Sequence, residues 1–270
     1  MKKTIILCAL CLLSGAHVGV IAQQASWLPV VKNADKPIRL LECTYNEAEL
    51  KQSKEISTTT AWEVRTEQTA VKDGKTYTFT FTAKQDMKDA GVAVAFDQYG
   101  WTSDNYVMIP SSVYNGNRQR IVNRAYATGL DNTDYRRKDL ALTSNPIPQL
   151  SPEYGAGSRL EVNISNTATP AITILDRAKQ KGIFLLTDQG IDWNNQVLDH
   201  ALIVEETPDR SVASFIISAP GVRERKPEFI GFSKSPDRGV QVKKGDQIVI
   251  RVTEVTFPCK DVPELLARFM

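Results

Sequence analysis

Thr76-Tyr77-Thr78-Phe79-Thr80-Phe81-Thr82 places aromatic rings on one side and threonines on the other with strict period two, the pattern of a half-buried strand. The same alternation recurs downstream. Leu160, Val162 and Ile164 oppose Arg159, Glu161 and Asn163, and Ile248, Ile250 and Val252 oppose Val249 and Arg251. The runs 91–96, 106–109, 183–186, 201–204 and 212–217 read as further short strands, punctuated by Gly, Pro and Asp. Asp73-Gly74, a dipeptide that tolerates the positive φ angles of a type I′ turn, predicts a hairpin between the strand at 76–82 and the run holding Trp62 and Val64. Short strands at this spacing predict an all-β fold, a large antiparallel β-sandwich.

Helical signals are confined to the last residues. Asp261 and Glu264 stand three apart as in an N-terminal capping box, with Pro263 in the first turn, and Leu265, Leu266 and Phe269 share a face. A short C-terminal helix is expected over 261–270. It reads either as a small helix lying on the sandwich or as the start of an element leading into a further domain.

The N-terminus has a different pattern. Lys2 and Lys3 precede an apolar run from Thr4 to Leu13, and Val20 and Ala22 stand at the −3 and −1 positions before Gln23. That is the layout of a cleaved signal peptide over 1–22. An uncleaved membrane anchor is the rival, but Ser14, Gly15, His17 and Gly19 dilute the second half. Neither Cys8 nor Cys11 follows the small residues that a lipidation site needs, so soluble export, to a periplasmic or extracellular location without a stable membrane anchor, is the expectation. The remainder, 23–260, reads as one sandwich domain with no Pro/Ser linker.

Removal of the signal peptide leaves equal numbers of basic and acidic side chains, because Lys2 and Lys3 account for the excess of 33 over 31. That balance, without a basic stripe, argues against nucleic acid as a partner and fits a neutral polar one. Of the 4 cysteines, Cys43 and Cys259 remain, near the two ends of the mature chain. They could form a disulfide in an oxidising compartment or stay as two buried thiols.

Catalytic chemistry has few candidates. His200 is the one histidine of the mature chain, beside Asp199 at the entry to an apolar strand, and no nucleophile-elbow pattern surrounds any serine. Gly155-Ala156-Gly157 lacks the third glycine and the helix of a dinucleotide fingerprint. Asp188, Asp192, Asn194, Asn195 and Asp199 supply oxygens around Trp193 without the spacing of a calcium loop, and turns favour the same residues. Glu205 and Glu206 are adjacent and point to opposite faces of a strand, so they do not form a carboxylate pair for sugar hydrolysis. No catalytic residue, metal ligand or cofactor is assigned.

One region departs from background. Tyr99, Trp101, Tyr106, Tyr114, Tyr126 and Tyr135 lie between residues 99 and 137 with Arg118, Arg120, Arg124, Arg136 and Arg137, while all 9 phenylalanines lie elsewhere. Tyr and Trp keep a polar handle that suits half-wet surfaces, and Arg makes planar bonds to hydroxyls and carboxylates. Trp101, Asn105, Tyr106, Tyr114, Asn115, Asn117, Arg118 and Arg120 are therefore candidates for a polysaccharide or oligosaccharide surface, or a domain interface. The alternative is that Tyr and Arg pack a long irregular connection onto the sheet with their polar ends exposed.

At Asp104-Asn105-Tyr106-Val107-Met108-Ile109-Pro110 and Tyr114-Asn115-Gly116-Asn117-Arg118 the chain resembles the N-terminal β-super-sandwich of secreted Bacteroidetes-type glycosidases, in which an (α/α)6 six-hairpin catalytic toroid follows. Pro263 to Phe269 looks like the helix leading into that toroid, which this sequence does not contain. The resemblance implies a super-sandwich that packs on, or rims, a catalytic domain supplying the carboxylates elsewhere. The expected function is thus a non-catalytic part of a secreted carbohydrate-degrading enzyme. The alternatives are a free-standing exported carbohydrate-binding protein and an independent polysaccharide hydrolase or lyase using Tyr, Arg and carboxylates.

Overall fold

The alternating stretches pair into two antiparallel sheets stacked through their apolar sides, as the strand pattern predicts. The computed structural model describes residues 25–102, 104–110, 112–114, 159–223, 225–227 and 232–270. β1 (Ile38–Asn46) and β2 (Glu49–Glu55) form one hairpin, and β3 (Trp62–Val71) and β4 (Gly74–Ala83) a second. β5 (Met87–Tyr99) is followed by β6 (Tyr106–Ile109), β7 (Ser112–Tyr114) and β8 (Arg159–Asn163). Then come the hairpin β9 (Ala171–Asp176) and β10 (Lys181–Thr187), the small hairpin β11 (Ile191–Trp193) and β12 (Gln196–Leu198), and the hairpin β13 (Ala201–Glu206) and β14 (Val212–Ala219). β15 (Arg225–Pro227) pairs with β16 (Phe232–Lys234), and β17 (Val240–Val242), β18 (Gln247–Pro258) and α1 (Val262–Phe269) complete the order.

Among the described residues the front sheet runs β2-β1-β5-β14-β13-β8, with β17 on the start of β5. The back sheet is organised around β18, which pairs with β4 along one side and with β10 and β11 along the other. From there β3 extends it beyond β4, and β9, β6 and β7 extend it beyond β10. The core between the sheets is aromatic and β-branched: Phe79, Phe81, Ile174 and Ile250 of the back sheet meet Val94, Phe215 and Val204 of the front sheet.

β5, β13 and β14 read as nearly continuous apolar runs because the front sheet is buried on its outer side as well. Leu41, Cys43, Ala93, Ala95, Ile203 and Ile216 form that second layer with the fully buried Trp27. The back sheet has an outer layer too, formed by Tyr106, Leu175, Phe184, Phe257 and Cys259, and α1 caps it with Leu265.

The helix starts where its capping signals stand. The Asp261 side chain accepts from the Glu264 amide at 2.9 Å, and the Glu264 carboxylate reaches back to the Lys260 amide at 3.0 Å. Its packed face is the buried Leu265 with the half-buried Val262 and Phe269, so Val262 takes the place expected for Leu266 in the apolar layer. Phe269 meets Phe184 edge to face at 5.5 Å, and Arg268 lies over the Phe257 ring. α1 therefore lies on the sandwich.

Two further expectations change in detail. The hairpin at Asp73-Gly74 forms, but Val71 pairs with Gly74 and only Asp73 has positive φ (60°). Gly74 is needed for a different reason: a Cβ there would run into the Glu254 carbonyl of β18, where the strands pass closely. The turn with two consecutive positive φ angles lies instead at Asn194 (48°) and Asn195 (62°), between β11 and β12. The two cysteines occupy different layers, Cys43 outside the front sheet and Cys259 outside the back sheet, and both are buried free thiols rather than a disulfide.

Candidate functional site

Residues 99–114 carry the chain from the end of β5 in the front sheet to β6 and β7 in the back sheet. Trp101 anchors this crossing. Its backbone amide donates to the Ser211 carbonyl at 3.0 Å, its ring meets Phe215 edge to face at 5.5 Å, and its indole N–H donates to Glu206 Oε1 at 2.6 Å. Glu206 ends β13 on the core side, with the Arg210 guanidinium 3.7 Å from its other oxygen. A buried carboxylate is tolerable when it is paired and bonded in this way.

Asn105 closes the next turn. Its side-chain oxygen accepts from the Arg177 amide at 3.0 Å, and the Arg177 Nε donates to the Asp104 carbonyl at 2.7 Å. Tyr106 then opens β6 and packs its ring in the outer layer of the back sheet, where burial pushes its hydroxyl pKa up. Trp101, Asn105 and Tyr106 are 3%, 1% and 6% exposed. They are framework residues, which corrects their reading as a stacking surface: the Trp101 indole N–H and the Asn105 side-chain oxygen are met by protein partners and the side chains are covered, while Asn105 Nδ2 is buried without a partner among the described residues. Tyr114 ends β7, the outermost strand of its sheet among the described residues. Asn115, Asn117, Arg118 and Arg120 lie outside the described residues, as do Tyr126, Tyr135, Arg124, Arg136, Arg137 and the Gly155-Ala156-Gly157 turn.

Beside the crossing, a turn holds Asp209 in a ring of donors. Thr207, Ser211 and Lys32 all bond its carboxylate, and these bonds hold it well below the usual carboxylate range. Tyr99 accepts from the Asn33 amide at the same end of the sandwich.

A constellation that sequence reasoning missed lies on the outer side of the front sheet. Arg39 of β1 makes a bidentate pair with Asp97 of β5 at 2.6 and 2.9 Å, and its guanidinium also donates to the Trp27 carbonyl. Ser214 of β14 completes the group with a 2.6 Å bond to Asp97. Next to it, Glu205 of β13 accepts from the Trp27 amide at 2.7 Å and from the Ser26 hydroxyl at 2.9 Å. Burial raises the Glu205 pKa, against the pull of Arg159 and these two bonds. Arg159 pairs with Glu161 on the neighbouring β8. Together these groups clamp residues 25–28 onto the sheet. The signal available in the sequence was an Arg inside an apolar alternation, Ile38-Arg39-Leu40-Leu41.

Glu205 and Glu206 point to opposite sides, as adjacent strand residues must, and serve different clamps. Asp188 and Asp192 both bond Arg251, and the Asn194 side chain accepts from the Gln247 amide, so these oxygens staple β11 to β18. No group of three or more His, Cys, Asp or Glu is arranged to hold a metal among the described residues.

His200 is fully buried at the start of β13. Its Nε2 lies 2.9 Å from the Thr187 hydroxyl at the end of β10, so the ring bridges the two sheets. Burial lowers its pKa to about 4, although Asp199 and Asp188 pull the other way. Asp199 accepts from the His200 and Ser165 amides and from the Asn163 side chain, which fixes the strand entry. The imidazole is thus a neutral bridging group.

No helix of the described residues is long and apolar enough to cross a membrane. No protein-family model matches the chain, and no curated protein matches it. Among solved structures it is similar to the Slr1438 protein from Synechocystis sp. PCC 6803, at 10% identity and a TM-score of 0.36, over 84% of this chain and 65% of that one. The chain thus spans less than two thirds of that protein's length, and a likeness at this level bears on neither fold nor function.

Proposed function

We propose that this chain is the non-catalytic β-sandwich part of a secreted carbohydrate-degrading enzyme, which packs on or rims a glycosidase catalytic domain. The observation that carries the reading is the anchored outlet at β6 and β7. Trp101, Asn105 and Tyr106 fix the backbone there, and β7 hands the chain at Tyr114 to the Tyr- and Arg-rich stretch. A rigid sandwich supporting a polar, aromatic connection is a common way to build a binding surface. The residue-level resemblance at 104–110 and 114–118 supports the same assignment. Export belongs to the reading as well, since cleavage after Ala22 would leave the clamp on Ser26 and Trp27 whole.

The test is affinity electrophoresis and glycan-array binding of the purified protein, together with measurement of sugar release from the same polysaccharides. Binding without product release is expected, with loss of binding in a combined Tyr114→Ala, Arg118→Ala, Arg120→Ala variant. Product release by the chain alone, or binding that the triple variant leaves intact, overturns the proposal.

A further inference from the structure

The hairpin of β3 and β4 extends beyond the sheet it faces. Trp62 is buried and Val64 half-buried, but every residue from Arg65 to Val71 is exposed, on both faces of the strand. β3 pairs with β4 on one side and forms one edge of the back sheet among the described residues. Its other edge therefore carries a row of backbone donors and acceptors over 10 residues.

Sheet edges normally bear a device against pairing, such as shortness, lysine, proline or a bulge. Among the described residues three other edges have one: β2 carries Lys51 and Lys54, and β7 and β12 have 3 residues each, while β8, the far edge of the front sheet, is only 5 residues long. β3 has none of these. Its register with β4 is continuous, it holds no Pro, Gly or Lys, and Val71 stands exposed near the turn.

Its charges are arranged to favour pairing. Glu63, Arg65 and Glu67 lie on one face of the strand with alternating sign, and Arg65 and Glu67, 72% and 57% exposed, already form a 3.2 Å pair within the chain. Consider two copies of β3 placed antiparallel about a two-fold axis perpendicular to the sheet. Facing residues must then lie on the same face, so the axis passes through a residue. An axis at Arg65 sets Arg65 against its copy and Glu63 against Glu67, and an axis at Glu67 sets Glu67 against its copy. Both put like charges opposite each other. An axis at Thr66 sets each Arg65 against the Glu67 of the other copy, Val64 against Gln68 and Glu63 against Thr69, over almost the whole strand.

We propose that the exposed edge of β3 is a self-association site, at which a second copy of this chain adds its own β3 antiparallel with Thr66 on the two-fold axis. The back sheets of the two copies then run on as one. The contact is isologous, so it closes as a dimer and does not propagate. It is small and wet, and so belongs with weak, reversible interfaces.

Sedimentation equilibrium of the full chain from about 1 to about 500 µM, a range suited to a small interface, is the first measurement, and a reversible monomer–dimer equilibrium is expected. Arg65→Glu or Glu67→Arg alone should weaken dimerisation about thirtyfold, because each turns two attractive cross-strand pairs repulsive. The double variant R65E/E67R should restore it, and so should mixing the two single variants. Both side chains are exposed, so circular dichroism should show an unchanged fold. Thr66→Cys should crosslink under mild oxidation, since the axis brings its two Cα atoms to about 5 Å, while Glu63→Cys should not. A monomer at all concentrations, the result expected were the edge to serve an extended segment of another protein, overturns the proposal. A dimer insensitive to Arg65→Glu overturns it equally.

Discussion

His200 should make this fold sensitive to mild acid, and the size of the effect follows from its surroundings. Protonation would place a charge at a fully buried site and a proton on both ring nitrogens. Nε2 has the Thr187 hydroxyl, while Nδ1 has no partner among the described residues. The folded-state pKa is lowered from 6.5 to about 4, chiefly by burial. A depressed pKa contributes stability that is present above 6.5 and lost as the pH falls through about 4. At about 1.4 kcal/mol per pH unit, the full loss is about 3 kcal/mol, most of it between about pH 6.5 and about pH 4.5. A loss of that size is a substantial part of the stability of an ordinary domain. The assay is urea unfolding followed by tryptophan fluorescence, for the wild type and His200→Gln, from about pH 7.5 down to about pH 4.5. Gln can still reach Thr187 but does not titrate. Carboxylates titrate in both proteins, including Glu205, whose raised pKa works in the opposite direction, and their contribution cancels in the comparison. Wild-type stability should fall relative to the variant by about 2–3 kcal/mol over this range. Parallel profiles would refute the reasoning, and the imidazole would then not be buried neutral.

Asp97→Asn should cost about 3–5 kcal/mol, read as a lower urea midpoint, because it leaves the buried Arg39 guanidinium without its counter-charge. Trp101→Phe keeps the ring against Phe215 but removes the donor to Glu206. A loss of about 1.5–3 kcal/mol is expected by the same assay. Cys43 and Cys259 should both stay inert to a thiol reagent in the native protein and react after unfolding, since burial pushes both thiol pKa values up. Mass analysis without reductant should find no bridge between them.

The fold class and half of the strands are legible because strands with one polar face alternate visibly, as in Thr76 to Thr82 and Gln247 to Val252. β1, β2, β9 and the 3-residue strands β7, β11, β12, β15, β16 and β17 escape that reading. In β1, Arg39 and Glu42 interrupt the apolar series although Arg39 is buried, and only the position of Asp97, 58 residues away, makes that burial tolerable. The turn at Asp73-Gly74 was placed correctly as a connection and wrongly in its chemistry, because the need for Gly74 comes from Glu254 on a strand far along the chain. The candidate surface failed at Trp101 and Tyr106 for a related reason. An aromatic ring with a polar handle serves a wet surface and a dry framework equally well, and what decides is whether a partner such as Glu206 meets the handle. Such partners are remote in sequence, and spacing carries no trace of them.

The place of β18 has a consequence for how the molecule assembles. It joins the hairpin of β3 and β4 to the block of β9 and β10, yet it lies at Gln247–Pro258, well after both in the chain. A polypeptide that emerges amino-terminus first, from a ribosome or through a narrow channel, must hold both halves of the back sheet apart until β18 has emerged. Closure then links positions such as Tyr77 and Val252 across most of the chain length, which slows folding. The waiting halves expose Phe79, Phe81 and Ile174, so survival during synthesis depends on how fast β18 arrives and on what shields those side chains until it does.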